Sequence, residues 1–259
     1  EKFSDEAYLK LFLKGEASLN LSDDEVILEH DFFANPLSFS TLNLFLICPR
    51  KYYYTKIAHI DAPKAIAKEL GTKQGNSVHS ALFEYYTSEF YKQNNVFDLA
   101  VFKEMLAKQN LTPLEFEIWT HKFKEYEIYE NERLRAGFRV LECEKEVQSE
   151  FCGVQIKGFI DRIDADANGD VLILDYKTGE ANVNSLQLAF YEALYGGEVR
   201  SAYYALKNEP SLVSSKKSVE DLGGEIEKLK TINKTKINFE RKSGACAFCE
   251  YVTLCRREL

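Results

Sequence analysis

Gly158-Phe159-Ile160-Asp161-Arg162-Ile163-Asp164 and Ile173-Leu174-Asp175-Tyr176-Lys177-Thr178-Gly179 are the two stretches on which the fold turns. Both are short apolar runs interrupted by charge and bounded by glycine, the texture of strands that end at a polar site. Working outward, Val154 to Ile163 and Val171 to Lys177 read as strands, with Asn168-Gly169-Asp170 as the turn before the second. Arg139 to Gln148 precedes them as a further strand. Ser185 to Tyr195 follows as a helix that stops at Gly196-Gly197, and Val199 to Leu206 reads as a fourth strand. Helix, three strands, helix, strand describes an α/β protein: a small mixed sheet flanked by helices.

Upstream, Ser40 before an apolar run predicts a helix over Ser38 to Ile47, disturbed at its end by Pro49. Gly75 to Lys92 is a second predicted helix, with Val78, Leu82, Tyr85, Tyr86 and Phe90 on one face. Thr112-Pro113-Leu114-Glu115 is a capping box with proline at the first helical position. It opens a long helix whose stripe is Phe116, Trp119, Phe123 and Tyr126 and which Gly137 can end. Residues 93–137 are therefore expected as a helical insertion. Residues 1–35 are expected as a peripheral lead-in, with an amphipathic patch at Tyr8-Leu9-Leu11-Phe12, and residues 36–259 as one domain. The Lys-rich stretch 207–240 is expected as a loop or hairpin.

The chain has 259 residues, 45% of them apolar and 29% charged, which excludes general disorder and collagen-like structure. No run approaches the roughly 20 apolar residues of a membrane helix, so no membrane partner is expected. The first residues carry no secretory signal pattern. The only methionine is Met105, and the expectation is a fragment of a longer, cytoplasmic protein. A net charge of −8 argues mildly against indiscriminate nucleic-acid binding, although a basic groove can coexist with acid elsewhere. Six cysteines are too few for a disulfide scaffold in a chain this long. Cys246-x2-Cys249-x5-Cys255 forms a cluster, Cys48 stands alone before Pro49, and Cys143 and Cys152 lie around the predicted hairpin.

Asp175 and Lys177 are two apart on a strand and share a face, and Asp161 brings a second acid to the adjacent strand. Two neighbouring acids can hold a hard divalent cation. A lysine beside them can position or deprotonate a water, and the set suits phosphodiester hydrolysis. For an Asp-x-Lys alone, a structural salt-bridge network is the better reading. The surroundings change the weighting: Gly75-Asn76-Ser77-Val78-His79 places an imidazole ahead of the sheet, and Gln187 and Tyr191 share a face of the next helix. His30, His59 and His121 read as ordinary surface or core residues.

The ordered set GNSVH, GFIDRID, LDYKTG and QLAFY, over residues 75–191, resembles the RecB-like branch of the PD-(D/E)XK nuclease superfamily. The resemblance implies a restriction-endonuclease-like core. It implies His79, Asp161, Asp175 and the Tyr176 carbonyl as ligands of Mg2+ (or Mn2+). Asp161, Asp175 and Lys177 would be the catalytic set, with Gln187 and Tyr191 supporting the site and DNA. Glu144 or Glu146 could match an additional acidic position. Cys48, Cys246, Cys249 and Cys255 resemble the iron–sulfur variant of the family, which implies a [4Fe-4S] cluster stapling the first helix to the tail; a zinc ion held by the same four thiolates is the chemical rival. The variant occurs in AddB-type subunits and in CRISPR adaptation exonucleases. The leading expectation is a metal-dependent deoxyribonuclease, acting as an exonuclease on DNA ends or single strands beside a helicase–nuclease partner subunit in DNA repair and recombination. A free-standing CRISPR-adaptation-like exonuclease and a catalytically silent DNA-binding scaffold are the alternatives. Arg50 to Lys56 interleaves base and tyrosine in a pattern suited to single-stranded DNA, or simply to packed tyrosines with solvated lysines. Lys228, Lys230, Lys234, Lys236, Arg241 and Lys242 form a second basic stretch.

Overall fold

A computed structural model describes residues 25–61, 66–242, 244, 246 and 249–255. The patch at Tyr8 to Phe12 lies outside them. The central sheet has five strands: β2 (Arg139–Phe151), β3 (Val154–Ala165), β4 (Val171–Lys177), β5 (Arg200–Ala205) and β6 (Ser211–Val213), in that spatial order. β1 (Ile27–Glu29) lies outside this sheet. Every neighbouring pair in the sheet is antiparallel except β4 and β5, which run parallel because a helix connects them. That mixed α/β sheet is the expected fold class.

Helices cover both faces. On one face α1 (Phe39–Ile47), α7 (Gln187–Tyr195) and α8 (Val219–Ile232) bury Leu42, Leu188, Phe190, Leu194, Leu222 and Ile226 against Ile160, Ile163 and Ile173. On the other, α3 (Ile66–Thr87), α5 (Leu99–Leu106) and α6 (Pro113–Arg135) bury Leu82, Tyr85, Phe102, Trp119 and Phe123 against Leu174, Tyr176 and Tyr204. α2 (Pro49–Tyr52) and α4 (Glu89–Asn94) are short, and a π-helical turn over Tyr53–Ile57 follows α2. The Thr112 capping box forms as predicted, and Gly137 ends α6 at φ 96°. α1 starts at Ser38 rather than Ser40: the Ser38 hydroxyl accepts from the Thr41 N–H. Gly75 lies inside α3 instead of opening it. A Cβ there would sit 3.2 Å from Thr178 Oγ1, so the glycine lets the helix approach the end of β4.

Two expectations change. The described part of the lead-in is tied in, because β1 pairs antiparallel with β7 (Lys236–Asn238) and Phe32 is buried. The 207–240 stretch is no loop: Ser218 caps α8 through a second capping box with Asp221. The helices of the expected 93–137 insertion form a second layer of the core, joined to β3 by buried charge. Glu130 and Arg133 of α6 meet Arg162 and Asp164 of β3. Arg162 Nη2 donates to Glu130 Oε1 at 2.5 Å, Arg162 Nε to Asp164 Oδ1 at 2.6 Å, and Arg133 bridges Glu130 and Asp164 at 2.9 and 2.8 Å. Glu130, Arg162 and Asp164 are each 0% exposed.

Candidate active site at the end of the central strands

α7 can lie close over β3 because Gly158 has no side chain; a Cβ there would come 3.1 Å from Leu194 Cδ2. Beyond it the sequence-predicted residues gather. The Tyr176 N–H donates to Asp161 Oδ2 at 2.9 Å, fixing β3 and β4 at this level. The His79 ring lies across both, with Nε2 3.1 Å from the Tyr176 carbonyl oxygen and Nδ1 3.4 Å from Asp161 Oδ2.

Asp175 points into the same neighbourhood but is held from the α7 side. Its Oδ1 accepts from Gln187 Nε2 at 2.8 Å and from the Tyr191 hydroxyl at 3.3 Å. Its Oδ2 is paired with Lys177 Nζ at 2.5 Å. Lys177 in turn donates to Gln187 Oε1 at 3.0 Å and lies over the Tyr203 ring, 5.2 Å from its centroid. Gln187 therefore orients both members of the Asp-x-Lys pair, and Tyr191 braces Gln187 at 3.0 Å.

Of the two acids offered from the first strand, the structure brings in Glu144. The pairs Cys143–Arg162 and Lys145–Ile160 set it opposite Asp161, and its backbone is left-handed at φ 48°. Ligand atoms of His79, Glu144 and Asp161 lie within 4.8 Å of one another, a grouping to which Glu146 does not belong. Burial, then the charges of Asp175 and Glu144, pushes the Asp161 carboxyl well above its ordinary value. Burial and Asp175 push Glu144 up as well, and burial holds the His79 imidazole down, toward its neutral form. A neutral imidazole, clustered carboxylates and an inward carbonyl are a donor set that fits Mg2+ or Mn2+, since a cation supplies the charge that burial withholds.

The sequence model of the PD-(D/E)XK nuclease superfamily matches residues 36–256, most of the chain and every residue of this site. The chain belongs to that superfamily. A crystal structure from Eubacterium rectale, of a protein to which exonuclease activity is ascribed, shares the fold with a TM-score of 0.50 and 16% identity over 86% of this chain and 89% of that one. An uncharacterized protein of Rickettsia bellii is 28% identical over 170 residues, 61% of this chain; the match spans only 20% of that relative's length.

The other candidates of this superfamily member fall as follows. Cys48, Cys246, Cys249 and Cys255 line one small cavity with Lys51, Arg241 and Lys242. Cys143 packs in the second core and Cys152 sits in the β2–β3 turn, so neither joins them. Tyr52 and Tyr54 are buried, Tyr52 stacking on Phe239 and Tyr54 packing on Tyr251, which removes both as platforms for DNA bases. In the second basic stretch, Lys228, Lys230 and Lys234 pair with Glu225, Glu227 and Asp31, which makes that half of it a solvated, neutralised face. Among the described residues no helix is long and apolar enough to cross a membrane.

Proposed function

We propose that this chain is a Mg2+- or Mn2+-dependent deoxyribonuclease, acting as an exonuclease on DNA ends or unwound strands within a helicase–nuclease complex of DNA repair and recombination. The observation that carries the reading is the approach of His79, Glu144 and Asp161 to one another beside the Asp175–Lys177 pair. His79, Asp161, Asp175 and the Tyr176 carbonyl would hold the ion, with Glu144 as a further carboxylate. When bound, it would neutralise charge developing on the phosphate. Lys177, aimed by Gln187, would orient the attacking water and keep a fixed positive charge beside the scissile group. Tyr191 and Gln187 would hold Asp175 in place by donating to its Oδ1. The exonuclease mode accords with the activity ascribed to the Eubacterium rectale protein.

We also propose that Cys48, Cys246, Cys249 and Cys255 hold a [4Fe-4S] cluster. Their shared cavity supports this.

The test is cleavage of plasmid and of end-labelled linear or single-stranded DNA by the anaerobically purified chain. Cleavage with Mg2+ or Mn2+ that stops on chelation is expected. DNA left intact by the iron-loaded chain with its partner subunit present would refute the reading.

A further inference from the structure

Lys122 and Lys207 meet at the rim of the sheet end that carries Lys177. The Leu206 N–H donates to the Lys177 carbonyl at 2.8 Å, so Lys207 emerges one residue beyond the strand pairing that flanks the active site. Lys122 reaches it from α6. Its Nζ donates to the Lys207 carbonyl at 2.5 Å and lies 4.8 Å from the centroid of the Trp119 ring, so the ammonium is fixed at both its polar and its apolar side. Lys207 is paired to Glu180, three residues past Lys177, whereas no carboxylate pairs with Lys122 among the described residues. Burial and the neighbouring Lys207 charge both lower the Lys122 amine from its ordinary value. Lys122 is thus a fixed ammonium with no carboxylate partner among the described residues, next to a lysine whose own charge is shared with Glu180, and a phosphate could join the two.

We propose that Lys122 and Lys207 form a phosphate-binding step on the substrate path, holding a nucleic-acid strand by its backbone as it runs along the sheet end to Lys177. The inference rests on the nuclease reading above. It assigns the helical layer a role in substrate capture: α6 carries one of the two charges, and Glu180 competes with substrate for the other.

The test is fluorescence anisotropy of a labelled single-stranded oligodeoxynucleotide with the whole chain, in chelator and over a salt series. The double variant K122Q/K207Q keeps side chains of similar reach, and K122A/K207A removes them; melting curves report folding for both. For each phosphate that the protein ceases to neutralise, the slope of log affinity against log salt should fall by about 0.7, hence by about 1.4 for the pair. E180Q, which frees Lys207, should bind more tightly with a steeper slope. K228Q/K230Q, on the neutralised face of α8, is the control and should match wild type. A folded K122Q/K207Q variant with the wild-type slope would overturn this inference alone. Failure of the wild-type chain itself to bind would overturn the nucleic-acid reading, and this inference with it.

Discussion

Replacing Glu130 by alanine should destabilise the protein strongly. Glu130 is fully buried and accepts four hydrogen bonds, from Arg162 at 2.5 Å, Arg133 at 2.9 Å, Tyr86 at 3.0 Å and Tyr204 at 2.9 Å. Alanine would leave two guanidinium groups sharing Asp164 alone and two tyrosine hydroxyls without this acceptor. Breaking a buried ion pair from one side costs about 3–5 kcal/mol. In a chain of this size that lowers the melting temperature by about 6–20 °C. Thermal and urea unfolding followed by circular dichroism would measure it. Removing the pair together, as E130L/R162M, leaves Arg133 matched to Asp164 and should recover more than half of the loss, because apolar groups can replace a buried pair at little cost. The pH dependence has a definite sign. Burial alone would raise the Glu130 carboxyl, but the charges of Arg162 and Arg133 and the hydrogen bonds outweigh it and hold the group below its ordinary value. A folded-state value below the unfolded one gives stability that is complete above the unfolded value near 4.5 and lost as pH falls through the folded one. The acid-side loss should therefore be shallower in E130A. A stability change under about 1 kcal/mol for E130A would refute the claim that α6 is tied to the catalytic strands by charge.

Asp175→Ala and Lys177→Ala should each lower the rate of metal-dependent DNA cleavage by about 100-fold or more with folding largely intact, measured in single-turnover assays. Wild-type rates in either would misplace the site. Asp161→Asn should raise the melting temperature of the chelated protein at neutral pH, by relieving repulsion among buried acids, and should abolish the further rise that Mn2+ gives the wild type; an unchanged Mn2+ response excludes Asp161 as a ligand. Cys255→Ser should bleach the anaerobically purified protein while Cys143→Ser and Cys152→Ser leave its colour unchanged, and iron and sulfide analysis should find about four of each per chain. One tightly held zinc without iron would replace the cluster by a zinc staple.

Elements with a local cause were legible in the sequence. The Thr112 capping box and the Asn168-Gly169-Asp170 turn placed α6 and β4 to the residue at their starts, because both signals are hydrogen bonds closed within a few residues. α8 was legible too, through Ser218, Asp221 and the spacing of Leu222, Ile226 and Leu229, but the lysines around it masked the pattern. β1 and β7 were not: each is three residues long, and their pairing joins positions some two hundred residues apart. In the site, His79 and Asp161 were legible from motif order. The selection of Glu144 over Glu146 was not, because it depends on a left-handed backbone at a residue that is not glycine. Arg162 was hidden for another reason: a charged residue beside an acid reads as solvent-facing, and nothing nearby in the sequence announces a partner 32 residues upstream on a different layer.

Asp161 and Arg162 are neighbours on one strand and face opposite ways, and the two faces have been given opposite electrostatic solutions. On the α6 side, two carboxylates and two guanidinium groups are buried together, and their charges balance. On the α7 side, Glu144, Asp161 and Asp175 converge with one lysine and a neutral imidazole, so negative charge is left over, and burial and the neighbouring acids push the Asp161 and Glu144 carboxyls up. The same strand could have carried a balanced set on both faces. The imbalance is confined to the side that is open to solvent, where His79 and Lys177 remain about a quarter exposed, and it is absent from the side that is sealed. A structural salt-bridge network accounts for the sealed face. It does not account for the open one, where unbalanced acids persist beside a lysine held by the same glutamine that holds Asp175. An excess of negative charge on the open face, which a divalent ion would relieve, is what the proposed metal-assisted hydrolysis would require.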